Sequence, residues 1–200
     1  KKSKSLILQT EDVKEIFEEE VEVRLVMRVE VTASAEAKEE TEELLHTEIL
    51  NISIAQYWKN FLETSCPFTL KEFIEEHKKD FEFHQEDWKD GPATENPDLP
   101  KIDTSELDSK TLKSRFNHGV VKVTGAPFVS RSRYFKTQRV VCQTEERFEM
   151  VSFNRTPDVP YGNDFYLQER HVLLSVKNAN RSIILAYNKP TFFKNVLFKN

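Results

Sequence analysis

The chain has 200 residues, 38% apolar and 32% charged, with a formal net charge of −5, which fits one soluble globular domain with at most an appendage. No run approaches the roughly 18 consecutive apolar residues of a membrane helix, and Lys1-Lys2-Ser3-Lys4 leads into an apolar run, Leu6-Ile7-Leu8, too short for a secretory signal. Cys66 and Cys142 cannot make a disulfide framework and suit a reducing compartment, so the sequons at Asn51, Asn154 and Asn180 are read as chance.

Fifteen Phe against four Gly is an unusual balance, and so many rings without hydroxyls imply much dry surface to place in a core or a cavity. The charge is also split. Residues 109–200 carry 16 basic and 6 acidic residues, and residues 1–108 carry 13 and 28. Halves so different suggest different surroundings. Without an initiating Met, and stopping at Phe198-Lys199-Asn200, the chain reads as an excerpt.

In chain order, Ser5–Gln9 and Val13–Phe17 predict a short hairpin, and the alternation of Val21, Val23, Leu25, Met27, Val29 and Val31 predicts a strand. Ala33–Leu45 is built of strong helix formers behind Ser34 and predicts an acidic, solvated helix. Residues 1–45 are therefore set apart, and a second unit is placed at 46–200. It opens with a strand at Glu48–Ile52. Ser53 then caps a helix whose Ile54, Tyr57, Trp58, Phe61 and Leu62 share one face. Thr64–Pro67 breaks it, and a second helix follows at Leu70–Lys79. Phe81–Trp88 is extended, and residues 89–109, with Pro92, Pro97 and Pro100, form a long loop. Strands are expected at 111–123, 130–144, 147–156, 164–177 and 181–188. Short turns between five successive strands imply an antiparallel meander, hence an α+β fold with a curved sheet against helices.

No catalytic constellation emerges, so no enzyme is expected. The five histidines are scattered; His77 and His84 with Glu82 or Asp87 make a metal set only on paper, and no metal or cofactor is assigned. Cys66 and Cys142 read as packed thiols. Asp158 and Asp164, flanking Val159-Pro160-Tyr161-Gly162, read as turn caps rather than a carboxylate pair. Between Ser109 and Thr144 lie Lys110, Lys113, Arg115, Lys122, Arg131, Arg133, Lys136 and Arg139 with no acid among them. This stretch reads first as a solvated outer sheet face and second as a dock for anionic lipid heads. No recognition helix or aromatic pattern supports nucleic acid.

Thr156-Pro-Asp-Val-Pro-Tyr-Gly-Asn-Asp-Phe-Tyr166, followed by Arg170, resembles the VASt domain, a divergent branch of the StAR-related lipid-transfer superfamily. Phe135-Lys-Thr-Gln138 matches the place of the family's Glu-Thr-Gln strand end, with Lys136 where the family has an acid. Phe83–Lys89 resembles its strand closing on Trp88, and the helix Ser53–Leu62 and the loop Cys66-Pro67-Phe68 keep the family's order. The resemblance spans about residues 46–200. Ser5–Thr10 with Lys14–Phe17 faintly resembles the last strands of a GRAM domain, which precedes VASt in several such proteins.

The resemblance implies a helix-grip fold, here without its closing C-terminal helix, and a cavity that binds a sterol or other lipid and moves it between membranes. It also implies a cytosolic site at endoplasmic reticulum contacts, with any anchor outside this chain. Helix spacing and strand alternation nominate Trp58, Phe61, Phe73, Phe116, Tyr134, Phe153, Phe165 and Ile184 as the lining, and Phe68 as the tip of a mobile lid loop, Glu63–Thr69. The competing reading is a membrane-associated protein-interaction scaffold on the same fold without a ligand.

Overall fold

The computed structural model describes residues 42–78, 82–93, 99–124, 128–177 and 179–193. The expected hairpin at 5–17, the strand at 21–31 and residues 33–41 of the acidic helix lie outside them. The described elements, in chain order, are β1 (Glu43–Leu50), α1 (an α turn, Ile54–Tyr57, widening into a π turn, Trp58–Leu62) and α2 (Leu70–Phe73, then a π turn at Ile74–Lys78). There follow β2 (Glu82–Gln85), β3 (Lys89–Asp90), α3 (Ser105–Asp108), β4 (Lys113–Lys122), β5 (Arg131–Gln143), β6 (Arg147–Arg155), β7 (Phe165–Ser175) and β8 (Ser182–Phe192). Among the described residues, no helix is long and apolar enough to cross a membrane.

The strands form one antiparallel sheet in the order β1-β8-β7-β6-β5-β4-β2, with β3 also on β4. The meander expected from the turn spacing is present, and the architecture is α+β. Three local expectations change. Residues 43–45 begin β1 instead of ending a helix, because their partners on β8, Tyr187 and Asn188, outweigh helix propensity. The stretch 89–109 is not all loop: β3 pairs β4, and Ile102 tucks against Val151 and Phe153. Strand β8 runs through Pro190, which lies past the last β1 pair, Glu43↔Asn188. On that side the strand is an edge, where a residue without an N–H is tolerated.

Helices α1 and α2 cover one face, here the inner one. Its core joins Ile54 and Leu62 of α1 to Val140, Phe148, Met150 and Leu173 of the sheet, with Trp58, Trp88 and Ile184 packed against them. Strand alternation sends the intervening residues to the outer face. There α3 is held by an ion pair between Asp108 and Arg139, whose own side chain is buried against the Phe153 ring.

Two glycines admit close backbone approaches. A Cβ on Gly119 would lie 2.1 Å from the Glu82 carbonyl oxygen, so only glycine lets β2 lie this close to β4. A Cβ on Gly162 would meet the Thr156 carbonyl at 2.0 Å. Gly162 closes the Asp-Val-Pro-Tyr-Gly turn by donating to the Val159 carbonyl at 2.8 Å. Asp158 is not a local cap. Its carboxylate accepts from the Arg133 backbone N–H at 2.8 Å and from the Arg133 guanidinium at 2.6 Å, pinning the β6–β7 turn to the start of β5. Those bonds hold its carboxyl below the usual range.

Candidate ligand cavity

Both helices start on capping boxes. Ser53 Oγ accepts from the Gln56 N–H while Gln56 Oε1 accepts from the Ser53 N–H; Thr69 and Glu72 repeat the arrangement. These caps fix where each helix enters, so the rings of α1 and α2 overhang the inner sheet face. The π turn of α1 ends with the Glu63 N–H donating to the Trp58 carbonyl at 2.9 Å. Leu62 is the last residue of this turn, so its carbonyl has no intrahelical donor. It accepts from Trp88 Nε1 at 2.6 Å and from Arg115 Nη1 at 3.1 Å, so a helix-end orphan acceptor is satisfied twice.

Between helices and sheet lies a cavity of about 650 Å³. Its upper rim is apolar: Phe61 stacks on Phe68 (5.7 Å between centroids) and meets Tyr57 at a tilt (5.3 Å), and Phe73 and Leu70 complete the lining there. Phe61, Phe68 and Phe73 are 38%, 62% and 53% exposed, so the rim opens to solvent. The loop between the helices is better tied than a breaker segment suggests. Cys66 is buried, its N–H donates to the Glu63 carbonyl, and the Phe68 N–H donates to the Asn60 carbonyl.

The floor is polar: Arg115, Lys136, Gln138 and His171, with Met150 beside them. Gln138 Oε1 accepts from Arg115 Nε at 2.7 Å and from Asn117 Nδ2 at 2.9 Å. Lys136 Nζ bonds Glu169 at 2.7 Å, and Tyr134 donates to Asn154 at 2.9 Å. Burial pushes the Glu169 carboxyl up, but the Lys136 ammonium and the hydrogen bonds from Lys136 and Asn154 outweigh it and hold the group below its ordinary value. Burial, with Lys136 nearby, lowers His171 and favours the neutral ring at neutral pH. Burial also raises the Tyr134 phenol, with Glu169 adding to it.

The nine residues nominated from the sequence do not share one space. Phe61, Phe68 and Phe73 line the cavity. Trp58 lies beside it in the core, 5.3 Å from Trp88 and under the Lys113 ammonium, and Ile184 packs on the same core. Tyr134 lies outside the cavity lining, packed against Phe83. Phe165 meets Phe192 at the sheet end. Phe116 and Phe153 project to the outer face, into a narrow seam under Leu99 and Ile102. In β4 the inward set is Arg115, Asn117 and Gly119, one residue out of phase with Phe116; such a slip inverts a strand.

The basic stretch is therefore not a uniformly solvated face. Arg115 and Arg139 are 2% and 1% exposed, on opposite sides of the sheet. Arg115, Lys136, Gln138, Met150 and His171 are not among the nominated residues; for Arg115, Lys136 and Gln138 the signal is the pairing of polar alternation in β4 with that in β5. His84 stacks on His118 at 5.0 Å, and the His77 side chain lies outside the described residues.

A family model described as VAD1 Analog of StAR-related lipid transfer domain matches residues 43–200. No curated protein matches the chain.

Proposed function

This chain belongs to the VASt family of StAR-related lipid-transfer-like domains, and on that premise we propose that it binds one membrane lipid in the cavity and carries it between bilayers. The observation that carries the reading is the roughly 650 Å³ cavity itself. It falls within the roughly 300–1,000 Å³ range of small-molecule sites and combines an apolar rim with a few convergent polar groups. An amphiphile suits that polarity: its body against Phe61, Phe68 and Phe73, its polar end on the floor. Sterol is the class that the resemblance names, and transfer at endoplasmic reticulum contacts is the setting it implies.

The loop Glu63–Thr69 is the proposed lid. Its exposed Phe68 closes over the ligand when the lid is shut and enters the bilayer surface shallowly when it is open. The scaffold alternative would have no use for the cavity. Mass spectrometry of lipids that co-purify with the chain tests the proposal. One lipid class at near-stoichiometric amount is expected. A lipid-free protein that also takes up no sterol or phospholipid from vesicles would overturn it.

A further inference from the structure

Arg115 stands out among the cavity residues, a guanidinium 2% exposed and without a carboxylate partner, with the buried Cys66 thiol as an electrostatic neighbour. Its Nε donates to the Gln138 amide, its Nη1 donates to the Leu62 carbonyl, and the Trp88 ring covers it at 4.4 Å. These partners are dipoles and a ring quadrupole; none carries a full negative charge. Among the described residues no carboxylate forms an ion pair with Arg115. Burial lowers its pKa to about 10, so it stays charged at neutral pH. The neighbouring cation on the floor, Lys136, is already engaged by Glu169. The acids of the cavity, Glu72 and Glu76, stand on the exposed helix rim, where solvent screens them.

A buried charge is ordinarily paired. We infer that the floor is a head-group subsite for an amphiphile with an anionic polar end, a carboxylate or a phosphate monoester, received by Arg115. The inference rests on the lipid-carrier reading and moves its ligand class from a neutral sterol, which the resemblance names, to an anionic lipid. The guanidinium's planar fork suits both anions, and an anionic head adds a Coulombic attraction in the buried floor that a hydroxyl does not supply. The apolar tail then lies along Phe61, Phe68 and Phe73.

The test uses probes of one chain length and different heads: oleate, oleyl phosphate and oleyl alcohol, with cholesterol and inorganic phosphate alongside. The chain's two tryptophans, Trp58 and Trp88, flank the cavity, so their fluorescence reads occupancy in the delipidated protein. Oleate and oleyl phosphate are expected to bind at least about tenfold tighter than oleyl alcohol, the factor that a charge-assisted bond contributes. Arg115→Met should bring them down to the level of the alcohol, with Arg115→Lys between. Should Arg115→Met fail to fold, the wild-type comparison of matched heads still decides.

Alcohol or cholesterol binding as tightly as oleate would overturn the inference and leave the carrier reading standing. Inorganic phosphate displacing oleate at equal concentration would assign the subsite to a free anion and overturn the head-group assignment. Failure of every amphiphile would remove both readings.

Discussion

Lys136 and Glu169 show how one pair can set the pH response of a cavity wall. Their side chains are 12% and 27% exposed and 2.7 Å apart. Removing one partner of such a pair strands the other charge; with Glu169 partly wet, Lys136→Met should cost roughly 3 kcal/mol at neutral pH. In the wild type the Glu169 pKa is lowered on folding, so its stabilisation is present above the ordinary carboxylate pKa and is lost as pH falls through the folded one. In Lys136→Met, burial, the largest influence on Glu169, is opposed only by the Asn154 hydrogen bond and by His171, and the pKa rises. The variant then folds best with the carboxyl protonated. Lys136 also depresses His171, so its removal eases protonation there as well. Urea unfolding from pH 8 to pH 5 should show the gap between variant and wild type shrinking as pH falls. A constant gap would mean that the pair does not titrate as described.

At the scale of elements, the proposed lid depends on how little of Phe68 is committed to the core. The ring is 62% exposed and touches Phe61 across a stacked contact. Phe68→Asp should therefore cost only about 1 kcal/mol, the worth of an aromatic pair, while slowing lipid transfer between liposomes severalfold. A large drop in melting temperature would mean that Phe68 staples α2; transfer at the wild-type rate would remove the lid. The strands and the Ser53 cap were legible in the sequence, since β4–β7 begin and end within about two residues of where turn signals and alternation place them, whereas the Thr69 cap of α2 was not. The faces were less so. Phe116 attracts an inward assignment by its apolarity, yet Arg115 is the residue turned inward, because Gln138 on the paired strand offers it an acceptor. A single strand does not reveal its partner's polar residues. The π turns were equally hidden, since α1 has the apolar spacing of an ordinary helix and widens only where Leu62 meets Trp88 and Arg115.

For the whole molecule, the cavity makes stability a function of occupancy. A lipid at a hundred times its Kd adds about 2.7 kcal/mol, which for a unit of this size raises the melting temperature by about 5–10 °C. Scanning delipidated and loaded protein side by side should show that rise, scaling with lipid concentration; identical midpoints would mean that the ligand sits on the surface. Grip and gate are joined at one atom. The Leu62 carbonyl oxygen holds Trp88 and Arg115 while lying next to Glu63, where the lid begins. Any outward swing of the lid that carries this oxygen along stretches both bonds together, each contributing about 1 kcal/mol or more. The guanidinium then loses its backbone tether as the mouth widens. On the proposed lid, opening and letting go would be a single event, and an empty domain meeting a bilayer with its mouth open would present a loosened arginine, to be re-set by the next head it captures.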